Sequence, residues 1–409
     1  MLWAQDFDTF FEDKTLRFDY VIGGSGDEIC VYPEKMKEEP YWGGSKINLV
    51  DTFNFGDFFV EIYDVKSNKM IYSRGFSSLF YEWTDTEKVK NETRSFYESV
   101  VFPFPKSPVK IKILMRRRNM QFQTLFSQNI DPTNVMIIKD RRNAYPTEKL
   151  HYSGDHHKKL DIVIIPEGYT TEEMTKFKKD CRRFIDYFFE VEPFKTHKDK
   201  VNFWAVKAPS LESGTDIPHK NIWKNTLLDT HFGTFGTPRY LTTQSVDKLR
   251  DAASYVPYDQ IYILVNSKTY GGGGIFNYYN LCTADHPQSG RVFTHEFGHA
   301  FAALADEYEY GWEKAEDFYD MQVEPWQVNI SNLSNFEKKW KGKVKKNTPI
   351  PTADHKKYRQ EIGAFEGAGY VKKKIYRPTY NCKMRTNSTD EFCPVCYETV
   401  LKMLQFYAE

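Results

Sequence analysis

Residues Thr294–Tyr310 contain His295-Glu296-Phe297-Gly298-His299, and that pentapeptide constrains the chain more than any other feature. Two histidines four residues apart lie on one face of a helix, one turn apart. Neutral imidazoles converging there grip one zinc ion. Glu296, one position after the first of them, is placed to take a proton from a water activated at the ion. The bland reading is a helix with two ordinary histidines. Apolar Val292, Phe293, Phe297, Phe301 and Leu304 around the motif, and the acidic pair Asp306-Glu307 after it, favour the metal site. A chain built on this motif must hold a helix against a core, supply a third ligand from elsewhere and leave one coordination position open.

The chain is long enough for that. Its 409 residues suggest two or three domains, and 40% hydrophobic content supplies their cores. Lys+Arg and Asp+Glu are equal at 56 each, so no net field favours nucleic acid or an anionic membrane. No apolar run reaches the ~20 residues of a membrane span. A monomer acting on a protein or peptide is expected. Met1-Leu-Trp-Ala-Gln-Asp6 lacks the basic and apolar parts of a signal peptide, and Leu2–Gln5 reads as the tail of a clipped one.

Residues 15–128 read as strands. Leu16, Phe18, Tyr20 and Ile22 alternate with other residues, as do Phe58, Val60 and Ile62, and Val109, Ile111 and Ile113 around Lys110 and Lys112. With turn-forming breaks such as Trp42–Ser45 and Pro103–Pro105, the pattern predicts an N-terminal antiparallel β-sandwich over 1–128. Nothing in this half looks catalytic, and Arg116-Arg117-Arg118 reads as a solvated hairpin tip. Residues 129–159 are polar and irregular and are expected to be a linker.

From 160 to 409 the pattern becomes layered. Leu160–Ile165 is an almost unbroken apolar run, as for a strand covered on both faces. Thr170 or Thr171 caps a helix carrying Phe177, Cys181, Phe184, Ile185 and Phe188. Strand Val201–Ala208, helix Ser245–Ala253 and strand Gln260–Asn266 follow, giving an α/β arrangement. Next, four glycines precede Ile275-Phe276-Asn277. They allow close backbone approach, and Ile275–Tyr279 is expected as an edge strand to which a substrate pairs through Gly273, Gly274, Ile275, Phe276 and Asn277. Ser331–Lys346 reads as a solvated, Lys-rich segment, and Tyr397–Tyr407 as an amphipathic C-terminal helix.

Of six cysteines, Cys382, Cys393 and Cys396 cluster near the C-terminal end. One Cys-x-x-Cys pair is too few for a four-thiolate zinc ribbon. A local disulfide from Cys382 to Cys393 or Cys396 is expected instead, which fits an oxidising, secreted, periplasmic or cell-surface setting.

The third ligand stays open on these grounds. On a continuous helix Asp306 would lie about 10 Å along the axis from His299, while a zinc–oxygen bond spans about 2 Å. Asp306 therefore reaches the ion only if the helix ends soon after His299 and the chain turns back through Ala302–Ala305, where no glycine stands. Glu307, or a Glu from a later helix, is the alternative.

His295–His299 followed by Leu304-Ala-Asp-Glu-Tyr308, together with Tyr270–Asn277, Phe365–Tyr370, Tyr376-Arg-Pro378 and Cys382–Arg385, resembles the IgA-cleaving metallopeptidases, or igalysins. The resemblance covers about 160–409, and the β region resembles that family's N-terminal domain more loosely. It implies a metzincin-like zinc peptidase domain: a twisted mixed sheet, an active-site helix, a Met-turn at Met384 and a C-terminal helix. It implies one catalytic zinc, Asp306 as third ligand and Glu296 as the catalytic base. Ala302 and Ala305 stand where common metzincins carry a glycine and the third ligand, and Asp306 falls one residue later. Two readings compete with the endopeptidase: a protein- or glycan-binding module with a structural or spent metal site, and a zinc hydrolase of non-peptide amides.

Overall fold

The computed structural model describes residues 6–25, 28–141, 143–310 and 314–408; the Leu2–Gln5 stretch lies outside them. After a single helical turn, α1 (Phe7–Phe10), the N-terminal half is antiparallel. Strands β1 (Phe11–Ser25), β2 (Glu28–Glu39), β3 (Phe58–Asp64), β4 (Met70–Phe76), β5 (Arg94–Pro105), β6 (Val109–Arg116) and β7 (Phe122–Ile130) form two sheets, β2-β1-β5 and β4-β3-β6-β7. The alternation explains them. Leu16, Phe18, Tyr20 and Ile22 of β1, and Val109, Ile111, Ile113 and Met115 of β6, are all buried in one hydrophobic cluster. Phe18 and Phe126 meet at 5.9 Å between the two sheets. A short helix, α2 (Leu79–Thr84), follows β4. Arg116 is not part of a solvated tip. It is buried at the end of β6 and donates from Nε to the Gly56 carbonyl at 2.9 Å.

The second half carries a six-stranded mixed sheet. Its strands are β8 (Thr147–His151), β9 (Leu160–Glu167), β10 (Val201–Val206), β13 (Gln260–Val265), β14 (Gly272–Ile275) and β15 (Tyr279–Thr283), in the order β14-β15-β13-β9-β10-β8. The four inner strands run parallel, and both edges are antiparallel. Between β10 and β13 lie a two-residue hairpin, β11 (His231–Phe232) with β12 (Leu241–Thr242), and helix α4 (Val246–Ala253).

The apolar run of β9 now has its cause. Leu160, Ile162 and Ile164 face a cluster made with α3 (Met174–Phe188), α5 (Ser289–Ala302) and the C-terminal α7 (Pro394–Tyr407). Val163 and Ile165 face α4 and the N-terminal strands. Each such side chain contributes about 1.5–3 kcal/mol on burial. The capping box of Thr170 and Glu173 starts the segment leading into α3.

The 129–159 segment is more ordered than a linker. It holds β8, which pairs with β10, and Ile138 bridges to Lys37 of β2. Residues 331–346 are also less solvated than their lysines suggest. Phe336 and Trp340 are buried, and the Trp340 Nε1 donates to the Gly363 carbonyl at 2.6 Å. A short α6 (Ala315–Phe318) and the hairpin β16 (Phe365–Ala368) with β17 (Val371–Arg377) complete the chain. No helix among the described residues is long and apolar enough to cross a membrane.

Candidate metal centre

Helix α5 rests its Phe293, Phe297 and Phe301 on the aromatic cluster of Phe184, Phe188 and Phe194, with Phe188 5.1 Å from Phe297. That contact turns His295, Glu296 and His299 toward an open cleft of about 880 Å³. The two imidazole Nε2 atoms stand 3.2 Å apart. Their Nδ1 atoms meet backbone carbonyls, His295 that of Lys383 at 3.0 Å and His299 that of Leu304 at 2.5 Å. An Nδ1–H donated to a carbonyl orients Nε2 into the cleft, and its lone pair becomes available to an ion once that nitrogen gives up its proton.

The helix ends at Ala302, just beyond His299. Ala303 adopts φ 54°, ψ 31°, a left-handed cap, and its N–H reaches the His299 carbonyl at 3.0 Å. Asn329 then grips the returning chain from both sides, accepting from Ala305 N and donating to Ala305 O, each at 2.8 Å. Asp306 swings back to the histidines. Its Oδ1 lies 3.2 Å from His295 Nε2 and 3.3 Å from His299 Nε2, and Tyr370 donates to its Oδ2 at 2.7 Å. That Oδ1 is buried without a hydrogen-bond donor. Burial pulls the His299 imidazole down, but the Asp306 carboxylate outweighs it and lifts His299 to about 9. In return, the imidazoles overcome the burial of Asp306 and hold it well below the carboxylate range. Burial pushes the Glu296 carboxyl up, partly offset by both histidines.

Met384 is fully buried beneath α5. A Cβ on Gly298 would stand 2.7 Å from the Met384 sulfur, so the motif's glycine makes room for that side chain. The glycine-rich stretch does the same on the other side. A Cβ on Gly274 would meet the Glu296 carbonyl at 2.3 Å, and one on Gly272 the Glu296 Oε1 at 2.7 Å. The glycines bring the edge strand flush against the helix.

The strand therefore falls earlier than the sequence reading put it. It is Gly272–Ile275, while Phe276–Tyr278 form the turn closed by the Ile275–Tyr279 pair, with Asn277 at φ 51°. Gly273, Gly274, Ile275 and Phe276 line the cleft. Asn277 is turned into the body of the protein, donating to the Gly75 carbonyl at 2.8 Å, and Gly272 already bridges to Tyr240.

Glu307 faces away from the histidines, against Asn329 and Cys396. All six cysteines are free, with the Cys382 and Cys396 sulfurs 3.8 Å apart, and Cys382, Cys393 and Cys396 gather with the Glu307 carboxylate. Tyr308 lines the cleft, whereas Tyr376 and Tyr380 do not.

Sequence reasoning missed several cleft residues. Arg239 donates to the hydroxyls of Tyr308 at 3.1 Å and Tyr310 at 2.7 Å. Asp57, Tyr81, Glu82 and Asp85 reach the same cleft from the N-terminal half. No local pattern marks these; only the tertiary fold brings them to the site. Tyr370 lies in the Phe365–Tyr370 stretch, but no local pattern marks its bond to Asp306.

A family model described as IgA Peptidase M64 matches residues 149–359 and 353–404, and one described as Peptidase M64 N-terminus matches 6–127. No match is found among curated proteins.

Proposed function

The chain belongs to the IgA peptidase M64 family and is a metallopeptidase, a hydrolase of peptide bonds, and from that premise we propose a zinc endopeptidase in which His295, His299 and Asp306 hold the ion and Glu296 is the catalytic base. One observation carries this reading. Three donor atoms, two Nε2 and one Oδ1, stand 3.2–3.3 Å from one another. Ligands placed tetrahedrally at about 2.0–2.1 Å from zinc lie about 3.3 Å apart. The Oδ1 without a donor is the polar atom such an ion would satisfy, so the residues fit the metal.

When bound, zinc supplies Lewis acidity to the scissile carbonyl and to the attacking water. The protein's own groups do the rest. Glu296 sits on the cleft side of α5, and its raised affinity for protons suits a group that takes one from the water and returns it to the leaving amine. Tyr370 holds the Asp306 carboxylate in one orientation through Oδ2, leaving Oδ1 for the ion. Tyr308, held by Arg239 at the cleft wall, is the hydroxyl we assign to the developing oxyanion.

The substrate is proposed to be an extracellular protein or glycoprotein, entering beside the glycine strand, and the protein to be secreted, periplasmic or on the cell surface. With the cysteines free, no disulfide supports that setting. The metzincin-like reading is supported by Met384 packed under Gly298. The β-sandwich reading of 1–128 is supported by two antiparallel sheets sharing one cluster. A division of the chain within 129–159 is supported by family matches that end at 127 and begin at 149.

Glu296→Gln tests the central role. Cleavage of a protein substrate is expected to fall by about 10²–10⁴-fold, with zinc content per chain unchanged by elemental analysis. Cleavage at the parent rate would end the proposed role of Glu296.

A further inference from the structure

The residue after Asp306 belongs to a second cluster. Glu307 carries its carboxylate away from the cleft, into a group with Cys382, Cys393 and Cys396, and all four are buried. One donor atom from each lies within 4.8 Å of the others. Cys382 and Cys396 sulfurs are 3.8 Å apart, and the Cys396 sulfur is 3.1 Å from Glu307 Oε1. Tetrahedral zinc, with sulfur at about 2.3 Å and oxygen at about 2.0–2.2 Å, places sulfurs about 3.8 Å apart and sulfur and oxygen about 3.5 Å apart. The Cys382–Cys396 spacing matches that sphere, the Cys396–Glu307 contact of 3.1 Å is tighter, and all four donors lie within 4.8 Å, a group compact enough to close on one ion by small side-chain rotations.

Three further observations point to a ligand. Glu307 Oε2 is buried with no hydrogen-bond partner, while Asn329 donates to Oε1 at 3.0 Å as an outer partner would. The Cys382 sulfur accepts two backbone N–H groups, from Cys393 at 3.2 Å and Met384 at 3.5 Å, donors that offset part of the burial that pushes this thiol up. Cys393 is the N-cap of α7 and Cys396 sits in its first turn, so both sulfurs stand at the end of a helix that stabilises negative charge.

We propose that Glu307, Cys382, Cys393 and Cys396 bind a second zinc ion, structural and distinct from the catalytic one. Three thiolates select a soft or borderline divalent ion such as zinc over calcium or magnesium. Four protein donors with no open position make a closed site rather than a reactive one. Loading it takes up the cysteines as thiolates and releases their protons to solvent. The site ties together three segments around the catalytic helix: the return segment through Glu307, the segment leading to Met384 through Cys382, and α7. It is a positioning device for Asp306, one residue from its own ligand.

The test uses the full chain with the catalytic ligands removed. His295→Ala/His299→Ala protein, purified with zinc and desalted, is expected to retain one zinc per chain. Adding Cys393→Ser and Cys396→Ser is expected to remove it. Because that variant can also fail to fold, thiols of the otherwise unaltered protein are counted in denaturant without reductant. All six cysteines are expected to react, and in native buffer thiol modification of the His295→Ala/His299→Ala protein is expected to release its one zinc. A metal-free histidine variant, or a count of four with a cystine peptide at Cys382, would overturn the proposal.

Discussion

Ala303 is the residue on which the site's geometry turns. Its left-handed conformation costs an L-residue roughly 1–2 kcal/mol, yet it ends α5 one turn after His299 and sends Asp306 back to the imidazoles. Glycine pays no such penalty but loses more entropy on folding. Ala303→Gly is therefore expected to raise unfolding stability by about 0.5–1 kcal/mol by denaturant titration, with zinc binding retained. A loss of stability would mean that the alanine methyl packs more favourably than the backbone argument allows. The turn itself was not legible in the sequence, because glycine or asparagine is the usual signal for such a cap. Here Asn329, twenty-four positions away, holds Ala305 from both sides and overrides local preference. His295, Glu296 and His299 were legible because their spacing alone puts them on one helical face.

Among the elements, the decisive pair is β14 and α5. The strand expected at Ile275–Tyr279 lies instead at Gly272–Ile275, three of the four glycines included, since at Gly272 and Gly274 the helix lies too close for a side chain. Gly274→Ala places a methyl 2.3 Å from the Glu296 carbonyl, a backbone atom that cannot rotate away. Overpacking of this kind costs typically 1–3 kcal/mol, occasionally more. We expect a loss at or above the top of that range by thermal or denaturant unfolding, and lowered peptide cleavage. A neutral substitution would show that β14 stands off the helix. The strands and helices with strong periodicity, β1, β6, β9 and α3, were legible because their own residues carry the pattern. The turn at Asn277 and the hairpin presenting Tyr370 were not.

At the scale of the whole molecule, the two halves share a core. Val163, Ile165 and Leu249 belong to the same cluster as Phe18, Ile62 and Ile113. A buried guanidinium joins them as well. Arg17 of β1 pairs with Asp19 at 2.8 Å and with Asp251 of α4 at 2.7 Å, close to Glu39 at 3.5 Å. Removing one partner of a buried ion pair costs about 3–5 kcal/mol. Arg17→Ala is expected to lower stability by that amount while calorimetry still shows one transition. Two separated transitions in the parent protein would contradict the shared core. This coupling was invisible in the sequence. Burial of the halves against each other was not encoded in either pattern alone, so residues 15–128 looked unconnected to catalysis while Asp57, Glu82 and Asp85 form part of the cleft wall.

The most direct test of the account is anomalous diffraction at the zinc edge from crystals of the metal-loaded protein. It predicts a peak at about 2.0–2.2 Å from His295 Nε2, His299 Nε2 and Asp306 Oδ1, with Glu296 beside the ion but not bound to it. A catalytically active crystal whose ion lacks Asp306 among its ligands, or has Glu296 in its place, would contradict it.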